Sequence, residues 1–98
     1  MLPPAQSSQP PSKERLTLNS SCSIGRLPDN DIVLDHTRVS RRHAIITWRK
    51  GNPYAEDLGS GFGTRLNGEM LLIGQAVPLK PGDHIWLGGC ILAYDVEI

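Results

Sequence analysis

The sequence predicts an all-β fold, a sandwich or a barrel. From Arg15 onward the chain falls into short runs rich in Ile, Val, Leu and aromatic residues, separated by clusters such as Leu27-Pro28-Asp29-Asn30. No stretch sustains the apolar period of a helix, and many short strands at regular spacing are the mark of these two architectures. Two runs also alternate with period two. Ala44, Ile46 and Trp48 oppose His43, Ile45 and Thr47, and Leu92, Tyr94 and Val96 oppose Ala93, Asp95 and Glu97. Each such strand has one face suited to a core.

Taken in order, residues 1–14 combine Pro3, Pro4, Pro10 and Pro11 with Ser7, Ser8 and Ser12 and show no apolar pattern. They are expected to form a flexible linker, leaving 15–98 as the domain. Strands are predicted over 16–18, 22–25, 32–34, 43–49, 54–58, 65–66, 70–72, 77–79, 84–87 and 91–98. Pro78 has no N–H to donate and confines its run to a sheet edge. Asn67-Gly68 is a type I′ hairpin dipeptide between two short strands, and Lys80-Pro81-Gly82-Asp83 is a tight turn.

Composition narrows the function. With 98 residues the chain supports one core and no cleft between large domains. Its longest near-apolar stretch, 85–94, is interrupted by Gly88 and Gly89 and has about half of the ~20 residues needed to span a bilayer. The N-terminus has neither the basic nor the apolar part of a secretory signal, so a cytoplasmic location is expected. Cys22 and Cys90 are far apart and form no CxxC, as expected of buried free thiols.

Ten Lys and Arg balance ten Asp and Glu, which argues against binding a long polyanion by bulk charge. Locally the balance fails. Arg38, Arg41, Arg42, Arg49 and Lys50 lie between Asp35 and Glu56 with no acidic residue among them. Positive charge gathered in a neutral molecule suits a small compact anion, because salt screens charges beyond about 8 Å.

Three chemistries fail on spacing. Ser40, His43 and Asp57 are the residue types of a hydrolase triad, but there is no Gly-x-Ser-x-Gly elbow; His43 reads instead as a half-buried histidine whose ring fastens a loop. Gly59-Ser60-Gly61-Phe62-Gly63-Thr64 lacks the Gly-Lys-Ser/Thr ending of a nucleotide loop and leads into a strand, so it reads as a turn with positive φ angles. A calcium loop counted from Asp29 places Leu34 and Ser40 where Gly and Glu are required, and His36, His43 and His84 have no zinc spacing. No catalytic residue, metal or cofactor is expected. What remains is Arg26, Arg38, Ser40, Arg41, Ser60, Thr64 and Asn67, grouped at strand ends and turns, where binding sites are usually built.

In order, the chain reads Gly25-Arg26, Asn30-Asp31-Ile32, Ser40-Arg41-Arg42-His43-Ala44, Asp57-Leu58-Gly59-Ser60, Gly63-Thr64, Asn67-Gly68 and Gly82-Asp83-His84-Ile85 ahead of Leu87-Gly88. This pattern strongly resembles the forkhead-associated (FHA) domain from about Ser23 to Tyr94. The resemblance implies an eleven-stranded antiparallel β-sandwich whose loops at one end bind phosphothreonine in a partner protein; the proline- and serine-rich tail ahead of so small a module leads to the expectation of a monomeric domain within a larger protein. It implies that Arg26, Ser40, Arg41 and Arg38 face the phosphate, and that Ser60, Gly61 and Phe62 meet the ligand backbone and the side chain three residues further on. Gly25, His43, Gly63, Thr64 and Asn67 would support the loops, Asn67 by tying the second loop to the first. Many members have Asn in place of Phe62 and Ser or Thr in place of Gly61, so Phe62 is expected to favour an apolar or aromatic partner residue. Two other readings stay open: a phosphorylation-independent interaction or oligomerisation module of the same fold, and a weak nucleic-acid binder acting through the Arg38–Lys50 cluster.

Overall fold

The computed structural model describes residues 12–13, by backbone, and 21–94. Ten strands follow in chain order: β1 (Ser12–Lys13), β2 (Cys22–Gly25), β3 (Ile32–Val33), β4 (Ala44–Arg49), β5 (Asn52–Asp57), β6 (Thr64–Leu66), β7 (Glu69–Met70), β8 (Val77–Pro78), β9 (His84–Leu87) and β10 (Cys90–Ala93). They form two five-stranded sheets, ordered β1-β10-β9-β6-β7 and β3-β2-β4-β5-β8. The predicted strand at 16–18, the tail at 1–11 and the last four residues lie outside the described residues. Ten strands rather than eleven are therefore seen among those described. Pairing is not wholly antiparallel, since β1 runs parallel to β10 and β3 parallel to β2. β1 also falls within the stretch expected to be linker.

The period-two pattern explains the core. Ile24, Ala44, Ile46 and Ala55 from one sheet join Ile85, Leu87, Cys90 and Leu92 from the other in a single buried cluster, completed by residues such as Val39, Leu71 and Tyr94. Pro78 lies in the edge strand β8, as its missing donor requires. Asn67 and Gly68 both have positive φ, 51° and 90°, so the β6–β7 turn is the type I′ hairpin that its dipeptide encodes.

A second such hairpin was not evident from the sequence. Lys50 (φ 52°) and Gly51 (φ 78°) join β4 to β5, and β5 begins at Asn52 rather than Tyr54. In this register Arg49 pairs with Asn52 and Trp48 with Pro53. A two-residue hairpin makes Trp48–Pro53 a non-hydrogen-bonded pair, so the nitrogen of Pro53 faces away from β4 and its missing N–H costs that ladder nothing. The Pro53 carbonyl on the same outer side accepts from the Leu79 amide at 2.9 Å.

Strand directions sort the loops. The ends of β2, β5 and β9 and the starts of β4, β6 and β10 lie together, which gathers the segments 26–31, 34–43, 58–63 and 88–89 at one end of the sandwich. The turns at 50–51, 67–68 and 80–83 lie at the other end.

Candidate ligand-binding loops

Three loops are joined by backbone and buried polar bonds before any ligand is considered. The first leaves β2 at Gly25. A Cβ there would collide with the Arg41 carbonyl oxygen and lie 2.8 Å from Asn30 Nδ2, so only glycine lets this loop pack against the next. Buried Asn30 holds the same junction, its Nδ2 donating to the carbonyls of Leu27 and Arg41 at 2.9 Å each. The Arg26 amide donates to the Ser40 carbonyl at 3.0 Å, and its Nε to the Val39 carbonyl at 3.1 Å. Fixed through Nε, the exposed Arg26 side chain keeps its two terminal nitrogens available for an anion.

The second and third loops meet at Ser40. Its Oγ accepts from the Gly61 amide at 3.0 Å, while its own amide donates to His43 Nδ1 at 3.0 Å. His43 Nε2 then donates to the Gly63 carbonyl at 2.8 Å. Since Nδ1 accepts and Nε2 donates, the ring is held as the Nε2–H tautomer. His43 is wholly buried rather than half-buried, at 0% exposure, and spans the 34–43 and 58–63 segments. Both ring nitrogens are committed to backbone, and His43 makes no bond to the Ser40 hydroxyl or to Asp57. The three triad residue types therefore form no relay.

Asp57 organises the third loop. Its Oδ2 accepts the Gly59 and Ser60 amides at 2.9 and 3.1 Å, and its Oδ1 accepts the hydroxyls of Ser60 and Thr64 at 2.5 and 2.6 Å. Burial pushes its proton affinity up, but these four bonds to the ionised form outweigh burial and hold the carboxyl below its ordinary pKa. Gly59 and Gly63 have φ of 92° and 84°, as expected for this loop, whereas Gly61 between them does not have a positive φ. Thr64 is fully buried beneath it.

The remaining candidates differ in placement. Arg38 stacks its guanidinium 5.9 Å from the centroid of the exposed Phe62 ring, which joins the 34–43 loop to the apolar end of the third loop. Arg41 is exposed, and its side chain has no partner among the described residues. Its neighbour Arg42 is instead paired with Asp29 at 2.5 Å. Ser60 directs its hydroxyl inward to Asp57 and so acts as scaffold, leaving Gly61 and Phe62 as the exposed rim.

Asn67 requires a correction. It lies at the far end of β6, where its Nδ2 donates to Asp83 Oδ1 at 2.9 Å and its Oδ1 accepts the His84 amide at 2.8 Å. It fastens the β6–β7 hairpin to the β8–β9 turn and does not tie the binding loops. A three-residue strand of about 10 Å separates it from them. The basic cluster is likewise divided: Arg49 and Lys50 sit at the opposite end of β4 from Arg38, Arg41 and Arg42, and Arg49 lies 5.1 Å from the Tyr54 ring centroid. Asn30, Val39 and Asp57 were the scaffold residues missed. Of these only Asp57 left a local signal, since Asp two and three residues before small or polar positions is an Asx-turn pattern.

Comparison with known proteins agrees with this geometry. The family model for the FHA domain matches residues 22–88. The transcriptional regulatory protein EmbR of Mycobacterium tuberculosis is 50% identical over 62 residues, covering 63% of this chain and 16% of EmbR. The glycogen accumulation regulator GarA of Mycolicibacterium smegmatis is 41% identical over 66 residues, covering 67% of this chain and 40% of GarA. The chain thus spans less than half the length of these curated relatives. Among solved structures, M. tuberculosis EmbR in complex with a low-affinity phosphopeptide superposes with a TM-score of 0.66 at 37% identity, over 80% of this chain and 21% of that one. The N-terminal FHA domain of Saccharomyces cerevisiae Rad53p, in complex with a phosphothreonine peptide, gives 0.66 at 31% identity, over 76% of this chain and 61% of that one. With the family's model matched over most of its length and its loop framework in place, this chain belongs to the FHA domain family.

Proposed function

We propose that this chain is a phosphothreonine-binding module that joins partner proteins in a phosphorylation-dependent way. The observation that carries the reading is the Arg26–Ser40–Gly61 junction. A guanidinium fixed through its Nε and a hydroxyl whose oxygen already accepts from Gly61 are left with donors to offer at one end of the sandwich. Arg41 and Arg38 supply further positive charge from the same loop. Phosphothreonine brings about −1.5 to −2 charge and three acceptor oxygens, which such a set of guanidinium and hydroxyl donors satisfies together. Aspartate, with one charge and two coplanar oxygens, does not fill a tetrahedral site.

Downstream of the phosphothreonine, the Phe62 ring backed by Arg38 favours an apolar or aromatic residue. The domain works as a monomeric unit within a larger signalling protein. A reducing cytoplasm suits such a module, in which Cys22 and Cys90 are both buried.

The test is calorimetric titration with phosphorylated and unphosphorylated versions of peptides drawn from a degenerate phosphothreonine library. Binding is expected to the phosphorylated form alone. Each charge-assisted bond contributes about 1.5–3 kcal/mol, so Arg26→Ala and Ser40→Ala should each weaken binding tens-fold. Equal capture of both forms, or capture that survives both substitutions, would overturn the reading in favour of a phosphorylation-independent module. Selection of Asp three residues after the phosphothreonine would remove the role given to Phe62.

A further inference from the structure

Leu72 and Ile73 are adjacent in sequence and are the two most exposed large apolar side chains among the described residues, at 68% and 71%. They belong to a run, 70–79, that contains no charged residue. They are not on a loose loop. The Gln75 amide donates to the Leu72 carbonyl at 3.1 Å and Gly74 has φ 78°, which makes 72–75 a type II turn with glycine at the third position. On one side of the turn, the amide of buried Leu71 donates to the Thr64 carbonyl at 2.8 Å; on the other, the Gly74 amide donates to the Asp57 carbonyl at 3.1 Å, and Ile73 bridges Asp57 in parallel.

Asp57 is thus a shared post. Its backbone carries the apolar turn, and its carboxylate carries the loop containing Ser60 and Gly61. Leu58, 43% exposed, follows Asp57 directly in sequence.

We infer that the Leu72–Ile73 turn is a second contact for the phosphorylated partner, taking an uncharged apolar stretch of the same partner chain some residues away from its phosphothreonine. The inference rests on the phosphothreonine reading of the loops. Two things on the molecule point to this occupant. The turn is continuous with the ligand loops through Asp57, so a chain held at Ser40 reaches it over a fixed distance. A strand spacing and two hydrogen-bonded links put that distance on the order of 15 Å, about five extended residues. The backbone of the turn is also fixed by hydrogen bonds on both sides, so covering it costs little backbone ordering, and adjacent exposed apolar side chains of this kind mark protein contacts.

The experiment compares three probes by fluorescence anisotropy: the seven-residue phosphothreonine peptide that the library selects, and that peptide extended at either end by six uncharged residues carrying two leucines. One extended peptide should bind about tenfold more tightly than the short one. The Leu72→Ser, Ile73→Ser double variant should erase this gain and leave the short peptide's affinity unchanged. Equal affinity for all three peptides would overturn the inference, as would a gain that persists in the double variant. Failure of every phosphorylated probe to bind would instead overturn the phosphothreonine reading, and this inference with it. Concentration-dependent self-association of the unliganded chain that the double variant abolishes would assign the turn to a second copy and overturn the inference too.

Discussion

Asp57 shows how one buried carboxylate prepares a site it does not itself form. Four donors converge on it from Gly59, Ser60 and Thr64, and each prefers the ionised acceptor. The folded carboxyl therefore binds its proton less tightly than the unfolded one, whose pKa is about 3.9. Its contribution to stability is complete above that value and is lost as the pH falls through the lower folded pKa. In Asp57→Asn an amide oxygen can still face the two backbone N–H groups, but the amide nitrogen then meets two hydroxyls that had been donors. Exchanging charged for neutral bonds should cost about 1–3 kcal/mol at neutral pH. The gap between variant and wild type should narrow below about pH 4, where Asp57 of the unfolded wild-type chain takes up a proton that the folded carboxyl still resists. Urea denaturation at pH 7 and at acid pH measures both effects; a gap that stays constant would remove Asp57 as the source.

At the scale of elements, the strands were legible where side chains alternate and the turns where residue type forces φ. Thus β4, β10, the edge position of Pro78 and the Asn67-Gly68 hairpin are legible in the sequence. The Lys50-Gly51 turn is not, because lysine seldom marks a positive φ and proline is rare inside a strand unless, as at Pro53, its nitrogen faces away from the partner. The apolar run 70–72 was read as strand, whereas only Glu69–Met70 pairs and Leu72 faces solvent. Composition alone does not tell an apolar residue in a core from one on a turn. In the site, Arg26 and Ser40 are legible by resemblance, while the scaffold of Asn30 and Val39 depends on contacts 11 and 13 residues away and that of Asp57 on a local turn that its residue type only hints at.

Asn67 separates fold from site most cleanly. Asn67→Ala would leave Asp83 Oδ1 and the His84 amide without their partner and place alanine at φ 51°. The cost should be about 2–4 kcal/mol in thermal or urea denaturation. Phosphopeptide affinity of the folded variant should stay within about twofold of wild type, because these bonds lie at the opposite end of the sandwich from the binding loops. A tens-fold loss would restore to Asn67 a role in tying those loops.

For the molecule as a whole, charge placement decides which partners it can hold. The net charge is zero, and the basic residues that sequence gathers into one cluster are separated by the length of β4. Among the described residues, Arg42 is paired with Asp29 and Arg49 and Lys50 lie at the far end of β4, which leaves Arg26, Arg38 and Arg41 as the cations of the loop end. So small a set suits one dianion at close range better than the backbone of a nucleic acid, whose affinity grows with each phosphate neutralised. Phosphopeptide binding should therefore weaken by less than about tenfold between about 0.05 and 0.5 M salt, because its contacts are shorter than the screening length. Duplex DNA should show no saturable binding at about 0.15 M salt by the same anisotropy assay. DNA binding with a steep salt slope that survives Ser40→Ala would show instead that the basic residues act together across both ends of the sandwich.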